Sequence, residues 1–260
     1  MIDAHCHLDD AQFADDLDAV IARAVDADVT TIITAGADLA TSRAAVALAD
    51  KYANIYAVVG IHPEHAATFD DDALKAIRDL AAHRKVIGIG EIGLDFYWAQ
   101  NPPRDVQKRT LIAQLDLAAE LNLPVVIHDR DAHAALMQIL SRRNAPCGIL
   151  HCFSGDLAMA RQAIDLGYLI SFAGNVTFKN ATRLQEIAHA LPLDKIVIET
   201  DAPYLSPLRG KRNEPANVTR VADKLAEIKN VEQRVVADAV TQNSKMLFQL
   251  HLGHGDEATR

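Results

Sequence analysis

Val86-Ile87-Gly88-Ile89-Gly90-Glu91-Ile92-Gly93-Leu94-Asp95 is the stretch on which the fold turns. It sets a G-x-G-x-x-G pattern in an apolar run, so two architectures compete for it. In a dinucleotide-binding sheet this pattern must open a helix whose N-terminus meets a pyrophosphate. Here Phe96-Tyr97-Trp98 follow, then Pro102-Pro103, and no helix starts. The stretch therefore reads as a buried strand carrying one carboxylate, Glu91. Its glycines let the backbone pass close to a crowded centre and turn out of it. A carboxylate inside such a strand is rarely buried without a partner.

Outward from that strand the chain alternates. Residues 2–8, 30–37, 55–63, 86–95, 124–130, 147–153, 168–173 and 195–201 read as strands. They are Val- and Ile-rich runs of the kind buried on both faces. Residues 11–27, 39–53, 71–83, 104–122, 132–143, 156–166 and 182–191 have helical spacing, and 216–229 and 232–250 close the chain as two helices. Strict alternation predicts an α/β fold with a parallel sheet, and eight units predict a (β/α)8 TIM barrel. An open doubly wound sheet is the alternative. The 260 residues suit one barrel domain over 1–250, with 251–260 as a polar, disordered tail.

Composition narrows the function. A net charge of −9 argues against a protein that coats nucleic acid electrostatically. It leaves room for an enzyme that meets phosphate through bound cations. Three cysteines without paired spacing argue against a disulfide framework and point to a reducing cytosol. No apolar run nears the roughly 20 residues of a membrane helix, and no secretory signal is visible.

A barrel of this kind gathers its chemistry at the C-terminal ends of the strands. His5 and His7, two apart, share one face of the first strand, with Cys6 on the other. The third strand ends in His62, the fourth in Glu91 and Asp95, and the fifth in His128 and Arg130. The sixth supplies His151, and the eighth Glu199 and Asp201. Strands two and seven offer nothing comparable. Each residue alone has an ordinary structural reading, but their convergence on one mouth points to a metal site. Such a His-rich set suits Zn, Mn or Mg. Cys6 and Cys152 are expected to face the helices, and Cys147 to pack low in the barrel. Lys179, Arg209, Lys211 and Arg212 are candidates to track a strand backbone, although each alone reads as a solvated loop residue. Phe96, Tyr97, Trp98 and Tyr204 are candidates to stack bases, with loop packing as the competing reading.

Six segments now form one pattern: Asp3-Ala4-His5-Cys6-His7-Leu8-Asp9, Gly60-Ile61-His62-Pro63, Gly90-Glu91-Ile92-Gly93-Leu94-Asp95-Phe96-Tyr97, Pro124-Val125-Val126-Ile127-His128-Asp129-Arg130-Asp131-Ala132, His151-Cys152-Phe153-Ser154-Gly155 and Glu199-Thr200-Asp201-Ala202-Pro203-Tyr204-Leu205. Together they resemble the TatD-type metal-dependent deoxyribonucleases, TIM barrels of the amidohydrolase superfamily. Arg209-Gly210-Lys211-Arg212-Asn213-Glu214-Pro215 resembles that family's loop after strand eight. Departures are Ile92 for the usual Thr, Asp129 in a variable slot, and Ala202 for Ser. None falls on an expected ligand.

The resemblance implies two divalent metal ions (Mg, Mn or Zn), with a third as an option. His5, His7 and Asp201 would hold one ion, His128 and His151 the other, and Glu91 would bridge them. His62 and Glu199 match further active-site positions, with a third metal or an acid/base role. The implied activity is phosphodiester hydrolysis in DNA, 3′ to 5′ and exonucleolytic, with abasic-site activity in some members. With it go Asp201 or Glu199 as general base, Arg130 on a second phosphate, and DNA ends or single-stranded DNA as partner. No membrane is involved, and a monomer is compatible. The runner-up is a hydrolase of C–N, ester or lactone bonds from the wider superfamily, and a barrel without chemistry is the third reading.

Overall fold

The computed structural model describes residues 1–142 and 145–250. The expected tail at 251–260 lies outside the described residues, as does the last residue of the expected helix 132–143. Eight strands follow one another around a single sheet: β1 (Ile2–Cys6), β2 (Thr31–Ala35), β3 (Ile55–Val59), β4 (Val86–Asp95), β5 (Val125–Arg130), β6 (Gly148–Leu150), β7 (Tyr168–Phe172) and β8 (Ile196–Ile198). Every recorded pairing is parallel. The seam between β8 and β1 is drawn together just above the strands. There Asp201 N–H donates to His5 O at 3.0 Å and His7 N–H donates to Ala202 O at 2.8 Å. This is the eight-stranded βα barrel, and the open-sheet alternative is excluded.

The helices between the strands are α1 (Leu17–Asp26), α2 (Leu39–Lys51), α3 (Asp71–Ala81), α4 (Arg104–Leu121), α5 (His133–Arg142), α6 (Leu157–Asp165) and α7 (Thr182–Ala190). After β8 come α8 (Val218–Lys229) and α9 (Gln233–Leu247). Aspartates start several of them, because a short carboxylate can accept from an orphan N–H of the first turn. Asp38 and Thr41 form a reciprocal box, each side chain accepting from the other's N–H at 2.8 Å. Asp70 accepts from Ala73 N–H and Asp156 from Met159 N–H, both at 2.8 Å. No helix among the described residues is long and apolar enough to cross a membrane.

The expected first helix, 11–27, is broken. Ala11–Phe13 is a 3₁₀ turn, and α1 begins only at Leu17. Asp16, which precedes α1, does not cap it. Its carboxylate is held instead by Arg212, whose two terminal nitrogens reach its two oxygens at 2.8 Å, and by Arg23 at 3.3 Å.

Two apolar layers form the core. One packs strands against helices and includes Cys6, Ile32, Ile92, Leu111, Leu136 and Val221. The other fills the lumen with Ile2, Ala4, Ile33, Ala35, Val58, Ile87, Val126, Ile149 and Val197, and is completed by Phe248 and Leu250. The pairing of β1 with β2 shifts register between Asp3 and Cys6. That irregularity leaves Cys6 in the outer layer, as expected, while His5 and His7 face the mouth.

The glycines of β4 serve the sheet itself rather than a crowded metal centre. A side chain at Gly90 would meet Val126 Cβ at 2.7 Å. Gly93 has φ +151°, and a Cβ there would lie 1.9 Å from His128 O. Both contacts are with β5, so close approach of these two strands requires residues without Cβ.

Candidate metal centre

Several functional side chains stand just beyond the strands. β1 ends at Cys6, β3 at Val59, β6 at Leu150 and β8 at Ile198, so His7, His62, His151, Glu199 and Asp201 belong to the loops that follow. His5, Glu91 and His128 lie on strands. Asp201 adopts φ 55° and Cys152 φ 43°. The alternation expected of a strand fails there, and Cys152 turns into the mouth, where it lines a cleft, instead of facing the helices. Cys147, expected to pack inside, is exposed because β6 starts only at Gly148.

Glu91 is buried at the centre, and its two oxygens face different groups. Oε2 lies 3.5 Å from His5 Nε2 and 3.5 Å from His7 Nε2. Oε1 lies 2.9 Å from His128 Nδ1, 2.9 Å from His151 Nε2 and 3.5 Å from His62 Nε2. Asp201 Oδ1 joins the first group, 3.8 Å from His5 Nε2 and 3.6 Å from His7 Nε2. His5 and His7 are 3.2 Å apart at their Nε2 atoms, and His128 Nδ1 is 3.2 Å from His151 Nε2. A cation with bonds of about 2.0–2.1 Å in a tetrahedron needs ligand atoms roughly 3.4 Å apart. The first group spans that spacing, at 3.2–3.8 Å, and the second is drawn tighter, at 2.9–3.2 Å; both are made of imidazole and carboxylate, the donors that Zn, Mn and related ions accept. Among the described residues three overlapping donor sets could hold an ion: His5, His7 and Glu91; His5, His151 and Asp201; and His62, Glu91 and His128.

At three of the rings an acceptor at the far nitrogen fixes which lone pair faces the centre, whereas the buried Nδ1 of His5 has no hydrogen-bond partner. His7 Nδ1 is 3.2 Å from Ala35 O, His128 Nε2 is 3.2 Å from Asp95 Oδ2, and His151 Nδ1 is 3.3 Å from Glu199 Oε1. An acceptor behind each ring places the proton there and frees the other nitrogen as a donor of electrons. His62 is the opposite case. Its Nδ1 accepts from Glu64 N–H at 3.2 Å, so the neutral ring carries its proton on Nε2, toward Glu91.

Electrostatics follow from this crowding. Burial alone pushes the Glu91 carboxyl up, but His151 and His62, with hydrogen bonding to His128, hold it well below the usual range. Burial opposes charge on His7, yet hydrogen bonding to Asp201 and the field of Glu91 raise it to about 9. His151 is raised against burial by Glu91 and Glu199. Burial, then the neighbouring His128, lowers His62 to about 3.

Glu199 does not reach the cleft. It is fully buried behind His151, its Oε1 accepting from Cys152 N–H at 2.7 Å and its Oε2 from Ser171 Oγ at 2.5 Å. The expected acid/base or metal role gives way to a carboxylate whose oxygens are already engaged. Ser171, from a strand that offered nothing in the sequence, is one of its partners. Asp95 is the other orienting carboxylate. Its Oδ1 accepts from Tyr97 N–H at 3.0 Å, and its backbone is held by Gln107 at 2.9 Å both ways.

Two arms of one cleft meet at the centre. One, about 370 Å³, is lined by Asp9, Asp10, His62, Glu64 and His65 besides the central groups. The other, about 530 Å³, is lined by Cys152, Ser154, Asn175 and Leu205. Trp98, Arg130 and Tyr204 border both. The Arg130 guanidinium lies over Tyr97 at 4.0 Å and Trp98 at 5.2 Å. Tyr204 OH reaches Asp10 Oδ2 at 2.8 Å. Lys179, Arg209 and Lys211 are exposed and line neither arm. Arg212 is bound to Asp16, and Phe96 packs on the core beneath Arg104, so neither is free for substrate.

A family model described as TatD related DNase matches residues 2–249. The uncharacterized metal-dependent hydrolase YabD of Bacillus subtilis is 41% identical over 255 residues, covering 96% of this chain and 100% of the relative. The Escherichia coli protein named 3′-5′ ssDNA/RNA exonuclease TatD is 35% identical over 257 residues, covering 95% and 98%. The crystal structure of YJJV, a TatD homologue from Escherichia coli K12, superposes with a TM-score of 0.91 at 33% identity over 96% of this chain and 98% of that one. Sequence, barrel and donor cluster agree, and the chain belongs to the TatD related DNase family of metal-dependent hydrolases.

Proposed function

We propose that this chain, with residues 1–250 as one hydrolase domain, cleaves phosphodiester bonds at the 3′ end of single-stranded DNA. The observation that carries this reading is the divided carboxylate of Glu91, each oxygen facing its own group of nitrogen donors. His5, His7 and Asp201 would hold one divalent cation, His128 and His151 a second, with Glu91 between them. Such a pair supplies charge to the attacking and leaving oxygens of an in-line displacement and acidifies water near neutral pH. The relative named as an ssDNA/RNA exonuclease favours a strand end as substrate.

The chain's own groups then take distinct parts. Asp201, partly exposed to the cleft, accepts the proton of the attacking water. His62, neutral and protonated on Nε2, donates a hydrogen bond to a phosphate oxygen. Glu199 and Asp95 keep protons on the far nitrogens of His151 and His128. Arg130, already ordered on two rings, pairs with a neighbouring phosphate. Abasic ends are a narrower substrate within the same proposal, as in DNA repair, and free cysteines fit a cytosolic setting.

The test compares a 5′-labelled single-stranded oligonucleotide with a panel of esters, lactones and cyclic amides. The protein is stripped with chelator and reloaded with Mg, Mn or Zn. Metal-dependent shortening from the 3′ end is expected. Carbonyl hydrolysis without any phosphodiester cleavage would make this member a C–N, ester or lactone hydrolase instead.

A further inference from the structure

A buried side chain bolts the last seam of the barrel. Among the described residues no strand pairing joins β8 to β1, and β8 ends at Ile198. Asp3, on β1, spans the gap. Its Oδ1 accepts from Thr200 N–H at 2.8 Å and its Oδ2 from Thr200 Oγ1 at 2.6 Å. Thr200 Oγ1 in turn accepts from Ala202 N–H at 3.2 Å, so its own hydrogen is the one given to Asp3. On the far side, Asn213 Nδ2 donates to Thr200 O at 2.8 Å and to Tyr204 O at 2.7 Å. The N–H, hydroxyl and carbonyl of Thr200 are thus all held, and Asp3, Thr200 and Asn213 are each fully buried. Packing alone gives no reason for a carboxylate here, because sealing one from water costs far more than burying an apolar side chain.

We infer that Asp3 is a positioning residue, which locks the Asp201 carboxylate in place against His5 and His7. This rests on the reading above that those three residues hold one cation. Asp3 lies two residues before His5, and Thr200 one residue before Asp201. The backbone bonds from Asp201 N–H to His5 O and from His7 N–H to Ala202 O tie the same two segments. Two ties leave a hinge between the segments, and the third, made by both oxygens of Asp3, removes it. Asp201 holds φ 55°, a conformation that a residue with a side chain keeps only where its surroundings impose it. The other ion is supported from elsewhere. His128 is backed by Asp95 and His151 by Glu199. Glu199, although next to Thr200, is anchored on β7 through its N–H to Phe172 O and its Oε2 to Ser171 Oγ. Loosening Asp3 should therefore weaken one ion and spare the other.

The experiment titrates Zn against a competing chelator in the whole chain. Thr200→Val keeps the side-chain shape and the N–H bond but removes the hydroxyl. Asp3→Asn keeps an acceptor for Thr200 N–H and loses the charge. Each should lower the affinity of one ion about tenfold, the lower end for a lost orienting partner, and change the other less than about threefold. Thr200→Ser keeps both bonds to Asp3 and should bind both ions within about threefold of the wild type. Combined with Asp201→Asn, Thr200→Val should add less than about threefold, because the ligand it positions is already altered; combined with Glu199→Gln it should add its full factor. If Thr200→Val does not fold, Asp3→Asn supplies the same comparisons. Both ions bound as in the wild type, both weakened alike, or the full factor persisting beside Asp201→Asn would each overturn the positioning role and leave a bolt that only stabilises the barrel. Those outcomes leave the metal assignment standing, whereas a wild-type chain that takes up no Zn overturns the assignment itself.

Discussion

Glu199→Gln separates two meanings of a buried carboxylate. Glu199 is fully buried, and its oxygens meet Cys152 N–H at 2.7 Å, His151 Nδ1 at 3.3 Å and Ser171 Oγ at 2.5 Å. Glutamine fits the same space. Its carbonyl can still accept from Cys152 and His151, while its amide faces Ser171, whose hydroxyl can turn to accept. Only the charge is lost. A hydrogen bond to a charged group contributes about 1.5–3 kcal/mol, and a neutral one about 0.5–1.5 kcal/mol. The proton on His151 Nδ1 is therefore held about 1 kcal/mol less firmly, and Nε2 becomes a poorer donor. Changes of this kind typically lower metal affinity or activity 10–100-fold, or about 1.4–2.7 kcal/mol. Chelator-competition titration of the purified variant should show that loss for one ion of the pair, with the other bound nearly as in the wild type. Unchanged metal affinity with a collapsed kcat would show instead that Glu199 acts directly as an acid or base.

Other expectations concern substrate, backbone and proton balance. Arg130→Ala should raise the oligonucleotide KM about tenfold with metal content normal, as for a rim phosphate contact; loss of metal in that variant would place Arg130 in support of the centre instead. Gly93→Ala forces a Cβ to 1.9 Å from His128 O at φ +151°. It should cost about 3 kcal/mol and lower Tm by about 6–12 °C, and a melt within 2 °C of wild type would show that β4 and β5 can part freely. In metal-free protein His7 is raised to about 9, so it is protonated at neutral pH when folded. Its share of metal-free stability is complete below its unfolded value of about 6.5 and is lost as pH rises through about 9. Glu91 runs the other way, its share present above about 4.3 and lost as pH falls through its lowered folded value. Metal must displace the His7 proton, so affinity should rise with pH across that window. Calorimetry in buffers of different ionisation enthalpy should detect at least one proton released per protein at pH 7.5, and none released would contradict the assignment.

The barrel was legible because its strands are apolar on both faces, and their order then fixes where the strand ends meet. His5, His7, Glu91, His128, His151 and Asp201 converge for that topological reason, although they lie far apart in sequence. What the chain concealed lies where hydrophobic runs outlast their hydrogen bonds. β6 stops at Leu150, so parity misplaced Cys152, and β8 stops at Ile198, so Glu199 and Asp201 part company instead of sharing a face. Long-range partners were equally hidden. Asp16 leaves its capping position to hold Arg212, and Arg212 is thereby withdrawn from the mouth. The role of His62 depends on a single backbone donor, Glu64 N–H, which no spacing reveals.

The proposed function depends on one carboxylate, Glu91, joining two cations. Anomalous diffraction from crystals grown with Mn or Zn, for the wild type and Glu91→Ala alongside elemental analysis of both, tests it most directly. Two anomalous peaks are expected in the wild type, one on each side of the Glu91 carboxylate. Glu91→Ala should lose both ions and phosphodiester cleavage with them. Two fully occupied peaks in Glu91→Ala, with turnover retained, would contradict it.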